Sequence, residues 1–213
     1  MATHPASIDA SRRSRRKLEV QQRILTAAVA LFDAHGFEAT RVTEICERAD
    51  VANKTFFNHF ATKSDLLRAI AQTALEAFLT EIDAARKHPG GTRERLRVLF
   101  ERIADNALAA GPMHRELLAE IIHVAHESGT DGEQARRLHQ AFGALVRDGR
   151  GAGDVASTHS LEIQTDMLIG AFYALMLNWA NLDGYPLRRQ ALAAARFLSD
   201  ALTCAPRTEE KRR

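Results

Sequence analysis

Apolar residues recur at the three- and four-residue spacing of an α-helix along most of this 213-residue chain. In the first such stretch these positions are Ile24, Ala28, Leu31 and Phe32. Later stretches follow the same rule, and none shows the alternation that a half-buried strand needs. The predicted helices span residues 17–35, 41–49, 53–60, 64–86, 92–110, 113–127, 133–147, 157–181 and 187–203. The pattern therefore predicts an all-α protein of about nine helices.

Breaks that contain glycine and proline separate these helices. The clearest is His-Pro-Gly-Gly at 88–91, and Gly-Arg-Gly-Ala-Gly at 149–153 is predicted to be a flexible linker. The fourth helix is long enough to leave one domain and enter another. We predict a helix-turn-helix domain of three helices and the start of a fourth, then a larger helical domain, between two polar flanking segments. The predicted boundaries are 1–17, 18–79, 80–205 and 206–213.

The amino-terminal flanking segment is polar and basic. Residues 12–17 read Arg-Arg-Ser-Arg-Arg-Lys, and Pro5 precedes them, a composition typical of a disordered arm. Two roles fit such an arm: a solubilising tail, or a segment that follows DNA phosphates or enters the minor groove. Its position directly before the first domain favours the second role. Residues 206–213 are predicted to be a charged, frayed tail.

Two short helical patterns and a tight turn lie at residues 41–60. Ile45 and Ala49 lie on one face of the first pattern. The turn follows, and Asp50 stands where a left-handed residue is needed, which Asp tolerates better than most residues. In the second pattern the candidate core residues are three phenylalanines, and the other positions carry donors: Asn53, Lys54, Thr55, Asn58 and His59. A short helix with apolar anchors and exposed donors suits a groove of DNA.

This stretch resembles the helix-turn-helix of TetR-type transcriptional regulators. The preceding helix ends RILTAAVALFDAHGF, which includes the family's glycine–aromatic pair, Gly36-Phe37. Thr40 follows, then the recognition segment NKTFFNHF at 53–60, then Lys63 at the start of KSDLL. The resemblance rests on many positions at fixed spacing. It implies the family's fold, in which a helix-turn-helix domain precedes a helical domain for effector binding and dimerisation.

Several positions depart from the family pattern. The usual turn glycine is Asp50, the usual capping serine is Ala52, and the usual phosphate-contacting tyrosine is Phe57. Because alanine cannot cap, Asn53 is expected to cap the recognition helix. Phe57 has no hydroxyl group, but its ring can pack against sugar. Arg41 stands where the family often has Ser or Thr, so it either caps the second helix or contacts the DNA backbone.

The resemblance implies a DNA-binding transcriptional regulator: a ligand-responsive homodimeric repressor that reads a near-palindromic operator of double-stranded DNA. Asn53, Lys54 and Asn58 are expected to donate hydrogen bonds to base edges or nearby phosphates. Lys63 and the adjoining helix start are expected to complete a phosphate clamp around the recognition helix. The remaining expected DNA contacts are Thr40, Arg41, Thr43, Thr55, Phe57 and His59.

The last two predicted helices carry a dimer prediction. Residues 167–180 are apolar almost all round, so this helix needs cover on every side, and the run is too short to span a bilayer. We predict a four-helix-bundle contact between two copies of the chain. The alternative is a central helix buried within a monomer. The predicted interface residues are Gly170, Ala174, Leu177, Ala191, Ala195, Leu198 and Leu202.

A small-molecule effector pocket in the second domain is implied by the resemblance alone. Large apolar residues on several predicted helices are the candidates for its lining, although each is better explained as plain core. The candidates are Phe78, Phe100, Ile103, Met113, Leu117, Ile121, Phe142, Met167, Phe172 and Tyr173. Their pattern names no ligand.

Composition and charge agree with this interpretation. The chain is 46% apolar with a net charge of +2, so it can bury a core and is not a polycation. Residues 1–63 hold ten Lys or Arg against seven Asp or Glu, so the basic excess lies with the helix-turn-helix. The two cysteines, Cys46 and Cys204, fall in different elements, which fits a reducing cytoplasm. We expect no signal peptide and no membrane partner.

Other chemistry is weakly represented. Nine histidines allow an alternative, a helical enzyme or metal-binding protein that uses His123, His126 or His139, but they lack a recognised ligand spacing. The chain has no glycine-rich phosphate loop and no nucleophile elbow. We therefore expect no catalytic residues, metal or cofactor. A further alternative is a scaffold that keeps the fold without DNA binding, because Asp50 and Phe57 depart from the family pattern.

Overall fold

The computed structural model describes residues 5–109 and 131–203, together with Arg115 and Leu118. This part of the chain contains α-helices and no named strand, which confirms the all-α prediction. The helices are α1 (Pro5–His35), α2 (Val42–Ala49), α3 (Asn53–His59), α4 (Lys63–Arg86), α5 (Thr92–Ala109), α6 (Asp131–Ala152), α7 (Leu161–Asn181) and α8 (Leu187–Leu202). The helix predicted at 113–127 lies outside the described residues, apart from Arg115 and Leu118.

Helix α1 begins much earlier than its apolar pattern indicates. It starts at Pro5, so most of the segment predicted to be a disordered arm is helical. Proline is compatible with a first helical turn, and no glycine interrupts the chain before Gly36. Arg15 and Glu19 form an i,i+4 ion pair of 3.7 Å, which adds a small further stabilisation. Gly36 ends the helix with a φ of 82°.

The first domain is a small core formed by helices α1 to α4. Its fully buried side chains come from each of these helices and include Phe32, Ile45, Phe56 and Leu66. Phe37, from the loop after α1, packs edge-on against Phe32 with ring centroids 5.2 Å apart. Burial of these side chains supplies the main free energy that holds helices of only seven or eight residues, α2 and α3, in place.

Helix α4 contributes to two cores. Its first turns bury Leu66 and Leu67 against α1, whereas its last turns bury Ile82 and Ala85 in the second domain. No proline or glycine lies between these pairs, so the helix runs through the boundary that we predicted at residues 79 and 80. The two domains therefore share one continuous helix, α4.

The second domain packs α5 against α8 and α6 against α7. Phe100, Phe142 and Trp179 are among the large side chains that its core buries. Four residues that we predicted at the dimer interface belong to this core instead: Ala191, Ala195, Leu198 and Leu202. The apolar stripe of α8 is covered by α5 of the same chain, and the sequence alone does not say which helix covers it.

The segment at 149–153 is not the flexible linker that we predicted. Helix α6 continues to Ala152, and Gly153 ends it with a φ of 78°. A Cβ atom on Gly149 would lie 2.3 Å from Thr92 Oγ1 and 2.5 Å from Val155 Cγ2. The glycine thus permits a close approach between α6 and the amino-terminal end of α5. Asp154 completes this contact by accepting hydrogen bonds from the Thr92 amide at 2.7 Å and hydroxyl at 3.0 Å.

None of the helices in the described ranges combines the length and apolar character that a bilayer span requires.

We expect Gly149→Ala to destabilise the protein by about 1–3 kcal/mol, because the added methyl group overpacks the contact with Thr92 and Val155. Gly151→Ala is the matched control, since a Cβ atom there meets no atom within 4 Å. Alanine also favours a helix, so this control should be neutral or stabilising. Thermal melting of both variants measures the difference, and equal melting temperatures would contradict the packing argument.

Candidate nucleic-acid interface

The turn between α2 and α3 depends on one left-handed residue. Asp50 has φ 51° and ψ 56°, as its position in the sequence predicted, and is the one non-glycine residue with positive φ in the described ranges. In this conformation the Val51 amide donates to the Cys46 carbonyl at 3.0 Å, which closes the end of α2. The turn therefore sets the angle at which α3 leaves α2.

Two phenylalanines anchor α3 to the first core. Phe56 is fully buried and Phe60, which follows the helix, is 5% exposed, with their ring centroids 5.8 Å apart. Asn53, Lys54 and Asn58 are exposed, and Thr55 and His59 are half-buried. The predicted donors are therefore brought together on the side of α3 that the core leaves open.

The exposure of Phe57 and the capping of α3 both differ from the expectations drawn from the sequence. Phe57 is 54% exposed, so it is not a core residue, although its ring packs edge-on against Phe56 at 5.3 Å. Ala52 is the residue before the first turn and makes no side-chain cap. Our expectation that Asn53 caps this helix is wrong, because Asn53 is already the first helical residue. Its side chain is consequently not used as a cap.

Thr40 is buried rather than presented to a ligand. Its side chain is 1% exposed, and its hydroxyl donates to the Gly36 carbonyl at 2.8 Å, with the Leu31 carbonyl 3.4 Å away. Its hydroxyl thereby ties the loop before α2 to the carboxyl end of α1. The predicted contact between its hydroxyl and DNA is not compatible with this arrangement.

The side chain of Lys63 donates hydrogen bonds to backbone carbonyl groups of the protein. Its ammonium nitrogen lies 2.7 Å from the Phe37 carbonyl oxygen, 3.2 Å from that of Thr40 and 3.4 Å from that of Glu38. It also lies 4.2 Å from the centroid of the Phe37 ring. An ammonium group has three N–H donors, and these three carbonyls can accept all of them. Lys63 thus ties the start of α4 to the loop before α2, instead of clamping a phosphate as we predicted.

The cap of α2 comes from a residue that we did not single out. The Arg41 backbone amide donates to Glu44 Oε2 at 2.7 Å, which is half of a capping box. A guanidinium has no acceptor, so Arg41 cannot supply the other half. The spacing of three residues between position 41 and a glutamate was the signal for this contact. Arg41 and Thr43 both remain exposed beside the helix start.

His59 lies in a cationic environment at the carboxyl end of α3. Partial burial lowers the pKa of its imidazole below the usual value, and the charge of Lys17 on α1 lowers that pKa further. The basic segment of α1 is therefore close enough to α3 for electrostatic interaction. Lys17, which we did not include among the candidate contacts, is therefore a further basic residue close to His59.

The predicted effector-pocket residues divide into four groups. Phe100, Ile103 and Phe142 are core residues, whereas Phe78, Phe172 and Tyr173 are only partly buried beside them. Phe78 and Phe172 stack with ring centroids 4.5 Å apart, and burial raises the pKa of the Tyr173 hydroxyl. Met167 is 56% exposed and is not among the residues that pack against this core, so its assignment to the pocket was wrong. Three further candidates lie outside the described residues: Met113, Leu117 and Ile121.

An exposed apolar stripe follows one face of α7. The residues lie four, three, four and three positions apart, and all are exposed: Ile163, Met167, Gly170, Ala174 and Leu177. Phe197 on α8, which we did not predict as an interface residue, is 73% exposed. Large apolar side chains in such a stripe mark an interaction surface.

The histidines do not assemble a metal site in the part of the chain that the structure describes, where no group of three potential ligands occurs. His139 instead lies 3.3 Å from Asp166, which joins α6 to α7. His123 and His126 fall outside the described residues.

A family model described as "Bacterial regulatory proteins, tetR family" matches residues 24–70, which span the first core from α1 into α4. The matched segment is a TetR-family helix-turn-helix domain.

Curated relatives and solved structures extend the TetR similarity beyond that domain. A probable acrEF/envCD operon repressor of Escherichia coli K12 is 28% identical over 199 residues, 86% of this chain and 87% of the relative. The regulator TcmR of Streptomyces glaucescens is 30% identical over 140 residues, 63% of this chain and 61% of its own. A TetR-family regulator structure from Pectobacterium atrosepticum has a TM-score of 0.76 at 19% identity, covering 91% and 98% of the two chains. The chain is thus a DNA-binding transcriptional regulator, and its fold is similar to that of a TetR-family structure over most of its length.

Replacing Lys63 with Ala should lower the free energy of unfolding by about 1–2 kcal/mol, because three backbone carbonyls lose a charged donor. DNA affinity should fall at every salt concentration with little change in its salt dependence. Lys54→Ala is the control: Lys54 is exposed, so stability should be kept while the salt dependence weakens. Denaturant unfolding and DNA binding over a salt series test both variants. If Lys63→Ala kept its stability and showed a weaker salt dependence of DNA affinity, Lys63 would be a phosphate contact and not a structural residue.

DNA affinity should rise as pH falls, because a phosphate near His59 favours the protonated imidazole. A complex raises the pKa of His59 above its lowered value in the free protein. The gain is therefore complete below the free-protein pKa and lost as pH rises through the pKa of the complex. Each unit of difference changes affinity about tenfold. His59→Gln should flatten this profile, whereas His35→Gln, exposed at the end of α1, should leave it unchanged.

Proposed function

We propose that the protein is a ligand-responsive homodimeric repressor that acts in the cytoplasm on a near-palindromic operator. The observation that carries this proposal is the construction of α3 within the matched family segment. Phe56 and Phe60 fix the helix to the core, and the opposite side presents Asn53, Lys54 and Asn58 to solvent. Amide and ammonium donors can reach the acceptor atoms of base edges in a major groove.

The surrounding residues fit a role in positioning. Arg41 and Thr43 stand exposed at the start of α2, where an arginine and a helix amino terminus both favour a phosphate. Thr55, Phe57 and His59 flank the donor face of α3 and would follow the backbone on each side. Thr40 and Lys63 support this surface from within, since their hydrogen bonds shape the loop before α2.

Dimerisation would use the exposed stripe of α7 together with Phe197. The small residues Gly170 and Ala174 allow a close helix approach at the centre of the stripe, and a Cβ atom on Gly170 would meet nothing within 4 Å in the protomer. Met167 and Leu177 flank this centre. A two-fold contact here would present two copies of α3 to successive major grooves about 34–36 Å apart.

Charges around the stripe favour pairing with a second copy of the same surface. The amino-terminal part of α7 exposes Glu162 and Asp166, whereas α8 exposes Arg189 and Arg196. An isologous contact between α7 of one copy and α8 of the other can bring these opposite charges together.

Effector control would act through α4. This helix belongs to both cores, and Glu76 on it forms a two-point ion pair with Arg137 on α6, at 2.5 and 2.7 Å. The partly buried rings of Phe78, Phe172 and Tyr173 lie on the same side of the domain core and suit an apolar or aromatic ligand. A ligand that favours one arrangement of α4 and α6 would change the distance between the two recognition helices and hence DNA affinity.

DNase I footprinting on the DNA upstream of the protein's own gene tests the function. We expect a protected near-palindrome with two half-sites about one helical turn apart. Met167→Asp and Phe197→Asp should each give monomers in sedimentation experiments and lose this protection. The control is Leu108→Asp, since Leu108 is 50% exposed on α5, outside the stripe. A monomeric wild-type protein, or unprotected DNA at moderate salt, would contradict the proposal.

A further inference from the structure

Helix α1 extends well beyond the domain that it helps to form. Ile24 is its first fully buried residue, and every described side chain from Arg12 to Glu19 is exposed. The part of the helix between Pro5 and Glu19 is about 22 Å long at the usual rise per residue. None of the described side chains of this projecting segment contributes to the first core, so their packing does not explain its length.

The projecting segment is strongly basic. Arg12, Arg16 and Lys17 are exposed and have no carboxylate partner among the described residues. Arg15 has only a loose pair with Glu19, at 3.7 Å. An ordered helix holds these cations at fixed positions, whereas a disordered arm would have to be ordered on binding, at an entropic cost.

The segment leaves the domain beside the recognition helix. Arg23, one turn after the projection on α1, lies 3.6 Å from Asp50 in the turn before α3. Lys17, six residues earlier on the same helix, is close enough to His59 for electrostatic interaction. If α3 occupies a major groove, the projection starts at the edge of that groove, where a phosphate backbone runs. Its length is then sufficient to continue over the adjoining duplex.

Other partners suit the segment less well. An α-helix is about 10–12 Å across with its side chains, too wide for a minor groove of about 6 Å. Binding in the plane of a membrane needs an apolar face, but Leu18 is the only large apolar side chain described in the projection. An acidic protein would match the charge alone, without the proximity to α3.

We propose that the projecting part of α1 binds, as a helix, the phosphates of the DNA that flanks each operator half-site. The contact adds affinity without reading bases, and it extends the footprint beyond the sequence that α3 recognises. This inference rests on the proposed function.

The test compares two duplexes in fluorescence anisotropy: the footprinted operator alone, and the same operator with ten more base pairs on each side. The triple variant Arg12→Gln, Arg16→Gln, Lys17→Gln removes the three cations. Each lost phosphate contact should reduce the slope of log affinity against log salt by about 0.9, so the dimer should lose at least about two units on the long duplex. On the short duplex the loss should be smaller. The control variant Lys87→Gln, Arg102→Gln, Arg147→Gln changes three exposed cations of the second domain and should match wild type.

A second variant tests the helical form of the segment. Ser14→Pro keeps every cation but interrupts the helix, since proline removes a backbone donor and clashes with the preceding turn. We expect it to lose part of the salt slope on the long duplex. A wild-type slope would show that a flexible basic arm suffices and would overturn the proposal.

The remaining outcomes distinguish failure of the flanking-DNA contact from failure of the proposed function. If wild type binds the operator but the triple variant keeps the full slope, the flanking contact is refuted while the regulator stands. A loss confined to A·T-rich flanks would indicate minor-groove reading and also refute it. If wild type prefers no operator, the proposed function itself fails.

Discussion

The attachment of α3 to the first core by Phe56 and Phe60 is the constraint on which the interface depends. An isolated helix of seven residues is not stable in water, so this one exists because two rings are buried on one side of it. The same anchoring decides which side chains remain outside. Asp50 then sets the direction of the helix, and Lys63 and Thr40 hold the loop that supports it. The exposed donors are therefore positioned by contacts within the protein.

The second domain is linked to this interface by a continuous helix and not by a flexible linker. Helix α4 has its first turns in one core and its last turns in the other. Arg86 pairs with Asp148 on α6 at 2.9 Å, beyond the Glu76–Arg137 pair, so two ion pairs connect α4 to α6. These pairs are partly exposed and contribute little to stability by themselves. Their importance lies in geometry, because any shift of α6 must either break them or move α4.

Local sequence patterns were sufficient for the helices, the turn and the open face of α3. Periodicity identified the helices, Gly36 marked the end of α1, and a lone Asp at the turn indicated the left-handed residue. Two failures are local, the early start of α1 and the expected cap of α3, and the others involve contacts between distant residues. Thr40 and Lys63 had the chemistry of phosphate ligands, but carbonyl groups of the α1–α2 region take their donors. A stripe of small residues on α8 fits an interface, yet α5 covers it, because complementary stripes do not reveal which partner is present. Gly149 has the composition of a linker but serves a close packing contact.

The continuity of α4 also limits how the molecule can be divided. A truncation after residue 79, the boundary favoured by the sequence, would separate the helix from Ile82 and Ala85, its anchors in the second core. The amino-terminal piece would keep Leu66 and Leu67, but the end of its α4 would be frayed. The remaining piece would lose the amino-terminal part of α4. The continuity of α4 would also constrain the exchange of second domains during evolution. One residue added within α4 rotates everything beyond it by about 100°, so a new second domain must be joined at the correct helical phase.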